Sequence, residues 1–264
     1  MSTSFPMDGM RVRFAGETNV GMKRTHNEDY LYLPEEERLL LVADGMGGHA
    51  SGDVASQLAI ETIVSFFRAT AEEPDITWPF AVDGNGRRGE NRLVTSVKLA
   101  NLKIFEMAQK KSQLHGMGTT LVACLFSDSD LTIGHVGDSR VYLLNDAGII
   151  QLTEDHSLLN DYIKMKRISP DEVDRFPHKN VIVRALGMKD SVAVDILRRD
   201  AIIGDTFLLC SDGLNGMIED DEMLRIFRSA PNLDECCSKL IKAANDNGGT
   251  DNITVAMARL EPNK

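Results

Sequence analysis

A layered α+β fold is what this 264-residue chain predicts, and three observations predict it. Apolar strand-like runs come in blocks and helical periodicity comes in paired segments, an order that favours α+β layers over a doubly wound sheet. The strands after Gly118 are joined by connections as short as Ser127-Asp128-Ser129-Asp130 and Asn145-Asp146-Ala147-Gly148, which suit an antiparallel meander. A hydrophobic content of 42% supports the core of one large domain.

The elements follow in order. Leu39 to Ala43 is an apolar run that breaks at Asp44-Gly45. Ala55, Leu58, Ala59, Thr62, Ile63 and Phe66 keep helical spacing, as do Leu93, Val97, Ala100, Ile104 and Ala108, so two helices are expected to pack as neighbours. Between them, about residues 72–92 are rich in Pro, Gly and charge and read as a loop insertion within one domain. Strands are expected at Thr119 to Phe126, Leu131 to Val136, Val141 to Leu144 and Ile149 to Leu152. From Thr153 to about Pro177 short helical pieces take over, one opened by the capping-box spacing Ser169 to Glu172. Strands resume at Val181 to Arg184, Val192 to Ile196 and Thr206 to Ser211. Helices at Asp220 to Phe227 and Asp234 to Ala244 precede a last strand, Ile253 to Leu260.

The formal net charge of −11 argues against nucleic acid or an anionic membrane as the main partner, since both reward a basic surface. No stretch has signal-peptide or membrane-spanning character, so a cytoplasmic protein is expected. Cys124, Cys210, Cys236 and Cys237 have neither zinc-ligand nor disulfide-framework spacing.

Four aspartates stand where an apolar run meets glycine or another turn residue: Asp44, Asp138, Asp212 and Asp251. A lone Asp-Gly is a turn signal. Four such carboxylates from distant segments suggest one cage, because a strand end holds its last side chain rigidly and glycine lets backbone approach a ligand. Oxygen-only ligands select Mg or Mn over zinc or copper. Two such ions roughly 3.5–4 Å apart can share a bridging water, lower its pKa and clamp a phosphoryl group without a protein nucleophile. A second element fits phosphate chemistry. The Arg24 fork lies four residues from Glu28 and five from Asp29, suited to two phosphate oxygens while Glu28 helps hold a metal and Asp29 orients Arg24 or a metal-bound water. The competing view of that cluster is a surface salt-bridge group beginning a strand.

Arg24-Thr25-His26-Asn27-Glu28-Asp29, Val42-Ala43-Asp44-Gly45-Met46-Gly47-Gly48, Gly118-Thr119-Thr120, Val136-Gly137-Asp138-Ser139-Arg140-Val141-Tyr142, Asp155-His156-Ser157, Arg184-Ala185-Leu186-Gly187, Ser211-Asp212-Gly213-Leu214 and Gly249-Thr250-Asp251-Asn252-Ile253-Thr254 occur in this order. The series resembles that of the metal-dependent protein phosphatases of type 2C, bacterial branch. The resemblance implies one catalytic domain over residues 10–261, a four-layer α-β-β-α sandwich of two mainly antiparallel sheets flanked by helix pairs. It implies Ser/Thr phosphatase activity on phosphoproteins by attack of a metal-bridging water, at a dinuclear Mg or Mn site. Asp44 would bridge the ions, Glu28 and the Gly45 carbonyl would complete one, and Asp212 and Asp251 would hold the other. Arg24 would bind the substrate phosphate, and a third, weaker ion would sit at Asp138 with Asp212 shared. The segment of about 156–180 would form a flap beside the site. The chain departs from the animal branch in carrying Met46 where a histidine is the proposed acid, so a metal-bound water becomes the expected proton donor. His49 lies nearby in sequence as a cap or surface residue, and His156 is expected to hold the flap base.

Rival readings are weaker. Gly45-x-Gly47-x-x-Ala50 formally matches a dinucleotide fingerprint, but Asp44 would repel a pyrophosphate and no strand follows within the required unit. A phosphatase-like binding scaffold should have lost a metal carboxylate, and none is missing. A monomer that opposes a bacterial Ser/Thr kinase is the expectation by family analogy, with an anti-sigma-antagonist phosphatase as the alternative.

Overall fold

Strand runs that are apolar at every position imply burial on both faces, and the fold bears this out. The computed structural model describes residues 4–47, 51–71, 80, 87–165 and 181–263. One sheet is ordered β1 (Ser4–Met7), β2 (Met10–Asn19), β12 (Ile253–Pro262), β11 (Thr206–Cys210), β8 (Arg140–Asn145), β9 (Gly148–Gln151). The other runs β10 (Asp195–Asp200), β7 (Asp130–Val136), β6 (Leu121–Phe126), β4 (Leu39–Met46), β3 (Asp29–Tyr32), with the two-residue β5 (Gly118–Thr119) also on β4. Every described pairing is antiparallel.

The two-residue period of β4 divides its side chains between two cores. Leu40 and Val42 join Phe14, Phe126, Phe207 and Leu209 between the sheets. Leu39, Leu41 and Ala43 face α1 (Gly52–Ala69) and α2 (Arg88–Lys110), packing with Ile63, Phe67, Leu93 and Ile104. Beyond the first sheet, Leu208, Cys210, Val255 and Met257 pack on α4 (Asp212–Asn215), α5 (Asp220–Ser229) and α6 (Leu233–Asp246). The result is the expected four-layer α-β-β-α sandwich. Phe14, Phe126 and Phe207 meet edge to face at its centre, with centroids 5.3 and 6.4 Å apart; truncating any one to alanine would cost about 3–5 kcal/mol. All four cysteines are free and buried.

Several expectations are corrected. An N-terminal hairpin, β1–β2, was not anticipated; β2 pairs along its whole length with β12, from Asn19–Ile253 to Met10–Pro262, and its charged Arg11 is matched across the strands by Glu261. The expected loop at 72–92 ends earlier than its composition suggested, because α2 begins at Arg88. There Arg92 caps the end of α1 by donating to the Phe67 carbonyl and to Thr70, which outweighs the flexibility of Gly89. Residues 72–79 and 81–86, the capping box Ser169 to Glu172 and the remainder of the flap beyond Met165 lie outside the described residues, as does His49. Val181 to Arg184 makes a single bridge, Ile182 to Ser157, instead of a strand. The strand expected at Val192 to Ile196 is displaced to Asp195–Asp200, where it forms a charged sheet edge while Val192, Val194 and Ile196 pack on the helical core. The flap opens with α3 (Leu158–Lys164), capped by Ser157, whose hydroxyl accepts from the Asn160 N–H at 3.2 Å.

Candidate active site

The strand register brings the predicted carboxylates to one end of the sandwich. Asp29, the first residue of β3, lies directly opposite Asp44 on β4. Asp212 follows β11, Asp251 precedes β12 beside it, and Asp138 lies in the β7–β8 turn. Asp29 and Asp138 are buried, Asp44, Asp212, Asp251 and Glu28 are half-buried, and Arg24 is exposed. The group thus forms an acidic bowl with a cationic rim.

Glu28 is fixed from three directions. Its backbone N–H donates to Asn252 Oδ1 at 2.8 Å, its carbonyl accepts from the Gly45 N–H at 3.1 Å, and its carboxylate accepts from the Gly52 N–H at 3.2 Å. Gly45 is required by this approach, since a Cβ there would stand 2.1 Å from the Gly52 carbonyl oxygen. Asp44 is pinned through its main chain: its N–H donates to Thr120 Oγ1 at 3.0 Å and its carbonyl accepts from the Thr120 N–H at 2.9 Å. Asp29 Oδ2 accepts from Ser211 Oγ at 2.7 Å and Thr254 Oγ1 at 2.6 Å, while its Oδ1 has no protein partner. Asp138 Oδ1 is likewise buried and without a protein partner.

The crowding is electrostatically costly. Burial, with repulsion from Asp212 and Asp251, pushes the Asp29 carboxyl up to about 7. Burial and Asp212 do the same for Asp138, to about 7. Burial raises Asp44 well above the carboxylate range, reinforced by Asp29, Asp212, Asp138 and Asp251. Asp212 is raised by burial and Asp251, and a hydrogen bond with Asp44 offsets part of this. Carboxyl groups so placed, with orphaned oxygens and an all-oxygen donor set, fit divalent hard cations, whose charge would reverse these shifts.

All eight predicted residues, Arg24, Glu28, Asp29, Asp44, Gly45, Asp138, Asp212 and Asp251, therefore belong to one end of the molecule. One expected contact is corrected: Asp29 does not orient Arg24. Its bonded oxygen is taken by Ser211 and Thr254, and Arg24 donates instead to Asp251 Oδ2 at 2.7 Å. Sequence reasoning also assigned no role to Asn252, whose amide donates to the Val20 and His26 carbonyls and so ties the Arg24 loop to the Asp251 loop. Thr120, Ser211 and Thr254 likewise carry no individual role in the sequence motifs that contain them. Their signal is a small hydroxyl at or beside the end of an apolar strand, where each must find a partner.

The family model for Protein phosphatase 2C matches residues 22–254. The serine/threonine phosphatase stp of Listeria monocytogenes is 39% identical over 248 residues, covering 91% of this chain and 92% of that protein. The crystal structure of the Mycobacterium tuberculosis serine/threonine phosphatase PstP superposes with a TM-score of 0.81 at 37% identity, covering 95% of this chain and 99% of that one. The catalytic domain of PstP in complex with two manganese ions gives a TM-score of 0.79 at 36% identity, covering 95% and 98%.

Proposed function

The chain belongs to the protein phosphatase 2C family, and on that premise we propose that it is a metal-dependent protein phosphatase hydrolysing phosphoserine and phosphothreonine in proteins, with residues 10–261 as its catalytic domain. The observation that carries this reading is the convergence of five aspartates and Glu28 beneath the exposed guanidinium of Arg24.

Glu28, Asp44 and the Gly45 carbonyl would hold one Mn or Mg ion, and Asp44, Asp212 and Asp251 a second. Asp138 with Asp212 would hold a third, weaker one. When bound, the ion pair supplies a water nucleophile at neutral pH and neutralises charge on the transferring phosphoryl group. The chain's own residues do the rest. Arg24, now on Asp251, presents a planar fork that takes two phosphate oxygens and sets the phosphorus over the bowl. Asp29, locked by two hydroxyls, offers its free oxygen to a bound water. Met46 has no proton to give, so the leaving seryl or threonyl oxygen is protonated by water. The substrates that suit this site are phosphoproteins, among them a bacterial Ser/Thr kinase or its targets. The acidic surface disfavours nucleic acid. Among the described residues no helix is long and apolar enough to cross a membrane. A monomer acting in the cytoplasm is the reading that family analogy supports.

The test is release of inorganic phosphate from a phosphothreonine peptide with Mn, with Mg and with EDTA, beside Asp212→Asn. Release that depends on the metal and is lost in the variant is expected. Folded protein that releases no phosphate with either metal would replace this reading with that of a binding scaffold.

A further inference from the structure

We propose that His156 is a positioning residue for Asp138: it fastens the Gly137–Asp138 turn to the root of the flap, so that the affinity of the third cation depends on how that root is held. The inference rests on the reading that Asp138 holds a weak third ion.

Gly137, which precedes Asp138, gives both of its backbone groups to one residue. Its carbonyl accepts from the His156 N–H at 2.8 Å, and its own N–H donates to His156 Nδ1 at 2.9 Å. On the other side of Asp138, the Ser139 hydroxyl is 2.7 Å from Thr120 Oγ1, the same atom that accepts from the Asp44 N–H. Asp138 is therefore suspended between two fixed points, one shared with Asp44 and one supplied by His156. An acceptor at Nδ1 puts the ring proton of neutral His156 on Nε2, where it is donated to Asp195 Oδ2 at 3.1 Å. Arg184, whose Nη1 stands 2.9 Å from Nε2, finds no lone pair there and serves Asp195 Oδ1 at 2.5 Å. Burial lowers the His156 pKa and keeps the ring neutral, and His135 stacks on it at 4.5 Å. Donor atoms of His135, His156 and Asp195 lie within 4.8 Å of one another, yet the proton on Nε2 bars His156 from ligating a metal. The ring is a strut instead.

The flap root grips the same strut. The His156 carbonyl accepts from the Val183 N–H at 2.9 Å, and the Leu158 N–H donates to the Val181 carbonyl at 2.8 Å. The chain leaving and re-entering the flap is thus zipped together at the residue that holds Gly137.

The test counts bound Mn2+ by the electron paramagnetic resonance signal of free Mn2+, in the full chain and its variants. Asparagine carries its amide oxygen on Cγ, as His156 carries Nδ1, whereas glutamine reaches the Nε2 position. His156→Gln is expected to weaken the third ion roughly tenfold, the size of one lost buried hydrogen bond, and to leave the tight pair unchanged. His156→Asn should restore the third ion. Asp195→Ala, on the exposed sheet edge, should weaken it in the same direction by freeing the tautomer. Rescue by Gln rather than Asn would overturn the proposal, because anchoring to Asp195 would then be the role. An unchanged third ion in His156→Gln or in Asp195→Ala would also overturn it. A third ion that survives in Asp138→Asn would overturn the underlying assignment instead.

Discussion

Asp44 is the side chain whose charge the site can least do without, because Asp29, Asp212, Asp138 and Asp251 all act directly on it. Asp44→Asn keeps shape and hydrogen-bonding volume but removes the charge that two cations would share. Phosphate release at saturating Mn is expected to fall by more than about 100-fold with the melting temperature little changed; near-normal turnover would sink the shared site. Arg24→Ala should act differently. The guanidinium is exposed and bonded only at the rim, so the expected result is a raised KM for the phosphopeptide with kcat largely kept. An unchanged KM with weakened Mn binding would reassign Arg24 to holding Asp251. The charged residues were legible in the sequence because four aspartates from distant segments share one setting at the border of an apolar run, which a turn signal explains singly but not together. The uncharged ones were not: Asn252 and Ser211 acquire their roles only when β11, β12 and β3 are brought into register, and no local pattern encodes that register.

Elements were legible where burial on two faces made their composition extreme. Strands β4, β6 and β11 stood out as nearly continuous apolar runs, β7 and β12 as mostly apolar ones, and α1, α2, α5 and α6 as helical stripes. The β1–β2 hairpin did not, because Arg11 and Arg13 alternate with Val12 and Phe14 and so break the apolar run, and they find their partner, Glu261, on a strand some 250 residues away. The segment 181–184 misled for the opposite reason: Val181 and Val183 look like a strand but are exposed beside the flap. The close apposition of the β11–α4 turn and the Asp251 loop gives this scale its own test. A Cβ on Gly213 would lie 1.9 Å from the Asn252 carbonyl oxygen, so Gly213→Ala must push the Asp212 and Asp251 loops apart. Leu214 remains in the core. The expected outcome is a folded protein whose Mn affinity, by calorimetric titration, falls at least about tenfold. Wild-type Mn affinity in that variant would mean that Asp212 and Asp251 do not share an ion.

For the whole molecule the decisive quantity is the concentration of negative charge at one end of the sandwich. The Asp29 and Asp138 carboxyls are held near 7 by burial and by Asp212, far above the 3.8 of a free aspartate. A raised carboxyl binds its proton in the folded state over a window in which the unfolded chain has already released it. Between about pH 4 and 7 the folded protein therefore holds more protons, and its stability without cations falls as pH rises, levelling once both states are ionised. Divalent cations bind the ionised form and displace those protons, so their stabilising effect grows over the same window. The gap in melting temperature between Mn-loaded and EDTA-treated protein should accordingly widen from pH 5 to about 7.5 and then flatten. Asp138→Asn, which removes one of the raised carboxyls, should make that widening shallower. A gap that is constant across the range would mean that the buried carboxyls are ionised throughout, and that bound cations stabilise the fold without discharging any proton from the bowl.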